Sequence, residues 1–358
     1  MKKSKKQILM TGGGTLGPVT PLMAIASTWQ DQDEHISVSW IGTPKGPEKI
    51  LVEEAGYTFF SLSAPKIDRH KKWKWVFVLP FFFYSLVRAF YLLKKIRPSI
   101  VFTAGGYVSV PVVFAAWVMR IPSWVHQLDV QPGIANRIMA PFAKRVSVTW
   151  QESMGAFSEG KTTVVGSLVR DQILRGNPAW VYEKFELDSL KPTILISGGG
   201  TGAESINKIM LAIGGDLIKK ANIIHLTGRG KMIDELQEIG KGYAALEFVG
   251  ADIADLYAAA DIVVARAGMG NILELSALAK PTVLIPIPNS HQKFNAQALE
   301  DRSAAHVIWK LNAQVLRQEL SKLVEDEETR RELSKHIKQV FVQRGEEGVI
   351  KEVQKLIS

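Results

Sequence analysis

Short apolar runs alternate with longer segments of helical period along almost the whole chain. In the first half, Gln7–Thr11, Ser37–Ile41, Ser99–Thr103, Ser123–Val125 and Thr162–Val165 read as strands. In the second half the same signature recurs at Thr193–Ser197, Asn222–Leu226, Leu246–Val249, Asp261–Ala265 and Thr282–Ile285. Helical patterns lie between them: Leu22, Ile25 and Ala26 share one face, and Val110–Met119, Glu204–Ile213 and Asn271–Leu278 follow the helical period. A further helix is expected from about Pro132. Strand, loop, helix and strand in this order are the grammar of a parallel α/β sheet. Both halves open with one device, a strand entering a glycine turn that enters a helix, which predicts two similar sheet domains. Gly176–Lys191 has no clear period and reads as the connection between them. The tail from Asn312 to Ser358 is helical and charged on one side, with Gly345 and Gly348 marking a break before a last helix.

At 358 residues the chain is long enough for two domains with full cores. Apolar residues at 46% and charged residues at 22% place it among folded globular proteins. With no cysteine, disulfides and thiolate metal sites are excluded. The net charge of +9 points to an anionic partner, whether nucleic acid, membrane surface or phosphorylated ligand. No nucleic-acid-binding module accompanies that charge, so nucleic acid is not expected as a partner. The basic N-terminus carries an apolar run that stops at Gly12, too short for a signal-peptide core, so export is not expected.

The stretch from Lys66 to Lys95 changes the picture. Lys71, Lys72 and Lys74 interleave with Trp73 and Trp75, and an apolar run through Phe81, Phe82 and Phe83 follows. The uncharged run Trp75–Val87 is well under the ~18–20 residues of a transmembrane helix. It suits either a core helix behind a solvated loop, or an apolar surface that enters a bilayer while the lysines meet anionic headgroups. The second reading is preferred, because an exposed apolar face is costly without a partner.

Candidate chemistry gathers just past the strand ends, where open α/β sheets bind ligands. The first turn, Gly12-Gly13-Gly14-Thr15-Leu16-Gly17-Pro18, is either a phosphate cradle or a plain tight turn. It lacks the acidic residue of the dinucleotide fingerprint at the second strand end. Gly105, Gly106, Tyr107 and Ser109 form a second glycine turn, and His126 and Asp129 follow another strand. If these three loops share one sheet edge, they surround one cleft. In the second half, Gly198–Gly202 repeats the glycine turn, and Asp261–Ala296 carries Arg266, Glu274, His291, Gln292 and Asn295. Glu274 suits a helix cap or a grip on a sugar diol.

These motifs, in this order and nearly end to end, resemble the MurG glycosyltransferase family. The resemblance rests on Gly13–Pro21, Gly105–Ser109, His126–Asp129, Val169-Arg170, Gly198–Ala203 and the block from Arg266 through Glu274 and Gln292 to Asn295. It implies a GT-B fold, two Rossmann-like α/β domains with doubly wound parallel sheets facing across a cleft. The expected bounds are 1–167 for the acceptor and membrane domain and 168–342 for the donor domain, with 343–358 packing back on the first. The implied reaction moves GlcNAc from UDP-GlcNAc, with inversion, to the 4-hydroxyl of undecaprenyl-linked MurNAc-pentapeptide at the cytoplasmic face of a bacterial plasma membrane. The implied association is peripheral, through an anionic membrane surface, with other cell-wall synthesis proteins as further partners. No cofactor is implied, since UDP-GlcNAc is a substrate and no metal motif stands out.

Carried over by the resemblance, Glu274 holds the ribose hydroxyls and the backbone at Val249 meets uracil. Gly199, Gly200, Thr201 and Gly202 hold the diphosphate with Arg170. Met269 and Gly270 border the GlcNAc, and His291, Gln292 and Asn295 meet its hydroxyls; the His291 position is often glutamine in the family. Gly13, Gly14, Thr15, Gly17, Gly105, Gly106, Tyr107 and Ser109 face the acceptor. Two departures matter. The first loop usually ends Gly-Gly-His where this chain has Leu16, Gly17 and Pro18, and the family's His-Glu-Gln-Asn is here His126-Gln127-Leu128-Asp129. Proline cannot take a proton, so Asp129, oriented by His126, is the expected general base. The altered positions leave two other readings: a UDP-sugar transferase with a different lipid-linked acceptor, and a non-catalytic UDP-sugar-binding protein on the membrane.

Overall fold

A computed structural model of the chain describes residues 6–66, 75–199, 202–250, 252–342 and 344–357. It divides into two compact units, Met1–Arg170 with Gln343–Ser358, and Asp171–Val342. The first unit thus runs to Arg170, where the sequence put the boundary at residue 167.

The first unit holds a parallel sheet of seven strands: β1 (Lys6–Thr11), β2 (Ile36–Gly42), β3 (Thr58–Ser61), β4 (Ile100–Thr103), β5 (Ser123–Gln127), β6 (Arg145–Val148) and β7 (Thr162–Val164). Their order is β3-β2-β1-β4-β5-β6-β7, so the winding reverses between β1 and β4. That reversal is the topological switch point at which such sheets bind ligands. β3 and β6 were not anticipated from the sequence. Ile8, Leu9, Met10, Val101 and Phe102 are fully buried, as the central strands of a doubly covered sheet must be.

The helix Trp75–Ile96 lies on this sheet with Ser85, Leu86, Ala89, Leu92 and Leu93 buried. Its other face carries Leu79, Phe83, Val87 and Tyr91, each more than half exposed, at successive four-residue steps. Phe82 turns inward and meets the edge of the Phe114 ring, so it is a packing residue and not part of the exposed face. Trp73, Lys71, Lys72 and Lys74 lie outside the described residues. Among the described residues no helix is long and apolar enough to cross a membrane. The last helix, Gly345–Ile357, belongs to this unit: Gly345 N–H donates to the Ser167 carbonyl at 2.9 Å. A Cβ at Gly345 would lie 2.8 Å from Gly166 N, so only glycine admits this approach.

The second unit repeats the plan with β8 (Thr193–Ser197), β9 (Asn222–Leu226), β10 (Tyr243–Leu246), β11 (Ile262–Ala265), β12 (Thr282–Leu284) and β13 (His306–Val307). The six strands are parallel, in the order β10-β9-β8-β11-β12-β13, and the switch point falls between β8 and β11. Gly176–Lys191, expected as a connection, contains the helix Pro178–Lys184 and packs within the unit. Asn177 Oδ1 caps that helix by accepting from Ala179 N, and Asn177 N–H donates to Asp255 Oδ1. Seven residues are two turns, too few to display periodicity.

Candidate active site

In the second unit the carboxyl edge at the switch point is built from two turns. Past β8, Gly199 N–H donates to Ser197 Oγ and Gly202 N–H to the Gly199 carbonyl. Gly202 has φ +67°, and a Cβ there would lie 2.3 Å from the Thr227 carbonyl oxygen. The turn feeds the helix Glu204–Leu217, whose start at Ala203 has no side-chain cap. Its first N–H groups are therefore not consumed by a capping side chain, and the positive end of its dipole faces the strand ends. Gly200 and Thr201 lie outside the described residues.

Past β11, the Arg266 guanidinium donates to the Ile285 carbonyl at 3.1 Å and to Ser205 Oγ at 2.9 Å. These partners are neutral oxygens, and burial draws the Arg266 pKa below its ordinary value. The helix Met269–Ala277 begins after Gly268, which places Glu274 in the second turn and removes the cap reading. Tyr257, almost fully buried on the helix Ile253–Ala259, donates its hydroxyl to Glu274 Oε2 at 3.2 Å. One carboxylate oxygen is thereby fixed by the protein. Val249 lies in the loop past β10, which ends at Leu246 rather than at Val249.

Gln292 and His291 open the helix Gln292–Glu300; Gln292 Oε1 accepts from Ile287 N–H at 3.1 Å, and His291 is exposed. Met269 is buried and Gly270 half-buried at the start of their helix. Asn295 is different. It is fully buried, and its Nδ2 donates to the Ala267 carbonyl at 3.1 Å. It pins the turn between Arg266 and Gly268 from beneath, which corrects its expected place among the sugar hydroxyls. Arg170, expected beside the diphosphate, packs with the first unit.

In the first unit, the loops after β1, β4 and β5 emerge side by side, as the strand order requires. Gly14, Thr15 and Gly17 are exposed and Tyr107 is half-buried. The first two loops touch through backbone: a Cβ at Gly106, which has φ +95°, would lie 2.9 Å from the Gly13 carbonyl oxygen. Gly105, at φ +109°, accepts through its carbonyl from Ser109 Oγ at 3.1 Å. Ser109 is fully buried, so it holds the loop and does not face the acceptor as expected.

His126 also departs from expectation. It is buried in β5, with Nδ1 2.8 Å from Ser147 Oγ and Nε2 3.2 Å from Thr149 Oγ1. Both ring nitrogens face hydroxyls on and after β6, so the ring does not orient the Asp129 carboxylate. Burial pushes the His126 pKa down to about 3, which makes it a neutral structural imidazole. Asp129 sits half-buried at the β5 end, its main-chain carbonyl accepting from Gln127 Nε2 at 2.8 Å and Ser153 Oγ at 3.3 Å. Pro18 is half-buried in the first loop, and Leu128 is buried.

Two residues of consequence were missed from the sequence. Tyr257 looked like an ordinary apolar-face position, and only its contact with Glu274 distinguishes it. Glu48, on the helix Glu48–Glu54, is fully buried and bonds to the first glycine loop. Its only signal was an acid two residues after Gly46, a pattern common in loops. Among the described residues no group of three or more His, Cys, Asp or Glu side chains is placed to hold a metal ion.

This pairing of units has known counterparts. Residues 8–148 match the glycosyltransferase family 28 N-terminal domain and residues 193–353 its C-terminal domain. A UDP-N-acetylglucosamine–N-acetylmuramyl-(pentapeptide) pyrophosphoryl-undecaprenol N-acetylglucosamine transferase of Bacillus cereus is 34% identical over 325 residues, 90% of this chain and 91% of its own length. The transferase of that name from Clostridium novyi is 35% identical, covering 91% of this chain and 92% of its own. Among solved structures, Acinetobacter baumannii MurG superposes with a TM-score of 0.73 at 25% identity, covering 98% of this chain and 99% of that one. The Neisseria meningitidis UDP-GlcNAc 2-epimerase bound to UDP-GlcNAc shares the fold at a TM-score of 0.71 and 12% identity, covering 98% of this chain and 100% of that one. With two GT-B-type parallel sheets and these relatives, the chain belongs to glycosyltransferase family 28, in the MurG family of N-acetylglucosamine transferases.

Proposed function

We propose that this protein transfers N-acetylglucosamine from UDP-GlcNAc to the 4-hydroxyl of undecaprenyl-diphosphate-linked N-acetylmuramyl-pentapeptide, the reaction carried in the names of its relatives. The observation that supports it most is the Glu274 carboxylate, held by Tyr257 beside the switch point of the second unit. A carboxylate held in place beside the switch point suits a vicinal diol, which is what ribose recognition requires. The backbone at Val249 takes the uracil, and the Gly198–Gly202 turn with its uncapped helix start takes diphosphate oxygens. Arg170 is the cation assigned to the departing diphosphate. Met269 and Gly270 border the sugar, with His291 and Gln292 on its hydroxyls.

Asp129 is assigned as the general base on the acceptor side, where Pro18 offers no proton acceptor. The acceptor 4-oxygen bonds to the anomeric carbon of GlcNAc as the bond from that carbon to the β-phosphate oxygen breaks. The hydroxyl proton passes to Asp129, and the electron pair leaves with UDP, where dipole and cation stabilise it. No metal is assigned a role, so activity is expected to persist in excess chelator. The exposed face of Leu79, Phe83, Val87 and Tyr91 is assigned to the cytoplasmic surface of a bacterial plasma membrane, with the lysine-rich segment before it meeting anionic headgroups.

One assay separates this reading from its rivals: purified full-length protein, labelled UDP-GlcNAc and lipid-linked muramyl-pentapeptide in detergent. The expected result is a disaccharide product on the lipid. UDP release only with another lipid-linked sugar would move the assignment to a different acceptor, and tight UDP binding without turnover on any acceptor would make the protein a binder. Serine at Phe83, Val87 and Tyr91 together is expected to abolish flotation with anionic liposomes; unchanged flotation rejects the membrane assignment.

A further inference from the structure

The loop after β9, Thr227-Gly228-Arg229-Gly230-Lys231, has no part in the site described above, yet a buried side chain fixes both of its ends. Asn207, fully buried on the helix Glu204–Leu217, donates through Nδ2 to the Thr227 carbonyl at 3.0 Å and the Lys231 carbonyl at 3.1 Å. With Nδ2 turned to those carbonyls, Asn207 Oδ1 faces His225 Nε2 at 3.1 Å, so Nε2 carries the imidazole proton. Nδ1 then accepts from the Tyr243 hydroxyl at 2.7 Å. Asn207 belongs to the helix that follows the Gly198–Gly202 turn, so this network ties loop and turn together. They also touch through bare backbone: a Cβ at Gly202 would lie 2.7 Å from Gly228 Cα.

The opposite side of the loop is tied to the segment after β10. Thr227 N–H donates to the Leu246 carbonyl at 2.8 Å, and Gly228 N–H to the Glu247 carbonyl at 2.9 Å. Gly230 N–H donates to Glu247 Oε1 at 3.0 Å. Gly228 and Gly230, at φ +98° and +66°, flank the exposed Arg229. The guanidinium carbon sits 4.0 Å from the centroid of the half-exposed Phe248 ring. Among the described residues, Arg229 has no ion pair and no side-chain hydrogen bond. A guanidinium backed by a ring keeps its N–H groups at the edge, where a phosphate can take two of them. Its loop is already ordered, which lowers the entropy lost on binding. The loop borders the turn assigned to the diphosphate, and Phe248 precedes Val249, assigned to uracil.

We propose that Arg229, set on the Phe248 ring, is a diphosphate-binding cation for the nucleotide, supplied by the same unit that carries the glycine turn. The proposal rests on the donor reading above, in which Arg170 of the first unit was the assigned cation. The test compares full-length wild-type protein with Arg229→Gln in binding UDP and uridine, without acceptor or lipid. Calorimetry reads UDP, and titration of backbone amide resonances reads uridine. The exposed position makes an unchanged melting temperature the expected control.

Arg229→Gln is expected to weaken UDP about tenfold or more, as loss of a charge-assisted bond should, with the Kd for uridine kept within about twofold. UDP binding within about twofold of wild type overturns the proposal and leaves the donor reading intact. An equal loss for uridine also overturns it, because the contact would then be with the nucleoside. Wild-type protein that binds neither ligand overturns the donor reading, and the proposal with it. Salt gives a second measurement: raising it from about 0.05 to 0.5 M should weaken UDP binding more in wild type than in the variant. Equal salt dependence overturns the proposal.

Discussion

The two sheets share a strand order around their switch points, β2-β1-β4 in one unit and β9-β8-β11 in the other, and the same strand-to-helix glycine turn. They differ in what the turn faces. In the first unit the turn closes on Glu48, and the Val19 and Thr20 N–H groups donate to the Leu16 carbonyl. In the second, a guanidinium with neutral partners stands beside the turn; neither helix start carries a side-chain cap. Topology provides a place for a ligand at both sites, and the residues around each turn differ. A glycine in such a turn says that something approaches the backbone closely. It does not say whether that something is a substrate phosphate or the protein's own carboxylate.

If acid–base chemistry belongs to the first unit and nucleotide binding to the second, variants should divide accordingly. The largest effect is expected from Asp129→Asn, a fall in kcat of about 10²–10⁴ with the KM for UDP-GlcNAc unchanged, read by steady-state kinetics. Near-normal turnover would remove the base from the first unit. Glu274→Gln should act on the other side of the division. Loss of charge-assisted bonds to the ribose, about 1.5–3 kcal/mol, raises the KM for UDP-GlcNAc some ten- to hundredfold and leaves the acceptor KM alone. Equal changes in both KM values would break the separation.

Acid stability sharpens the contrast in another way, because among the described residues each unit buries one imidazole. Burial lowers the His126 pKa to about 3 and the His225 pKa to about 4. Below the unfolded value of 6.5, the unfolded chain binds a proton that the folded chain refuses, so stability falls as pH drops. Each group contributes a slope of about 1.4 kcal/mol per pH unit, ending near pH 4 for His225 and near pH 3 for His126. Urea unfolding between pH 7 and 4.5 should show this decline, and His126→Asn should remove the share of the first unit only. The smallest effect is expected for Tyr257→Phe. Losing one neutral-to-charged bond to Glu274 should cost about 1–2 kcal/mol in kcat/KM for UDP-GlcNAc with the melting temperature little changed, as kinetics and calorimetry would record.

Much of the architecture was legible because apolar runs and helical periods reflect burial on two faces. The strands carrying the switch points, and the turns after them, stood where the pattern put them. Thr58–Ser61 was not visible because it is an edge strand with no buried residue to mark it, and Pro178–Lys184 because its two turns bury only Val181. Site residues were legible as types and not as orientations. Glu274, in the second turn of its helix, and Asp129, past the end of its strand, lie half-buried. Ser109, His126 and Asn295 stand in the same motifs, yet they are buried and bonded within the protein.

The sequence by itself determined two doubly wound sheets, their glycine turns and the family, because hydrophobic periodicity and motif order are properties of neighbouring residues. Tertiary structure alone decided which polar groups are free to bind a ligand. A buried donor or acceptor must find a partner, and that partner can be far away in the chain: Glu48 is 34 positions from Gly14, and Ser147 is 21 from His126. No local pattern records those pairings, so the contact between Glu48 and the first glycine loop appears only in the fold.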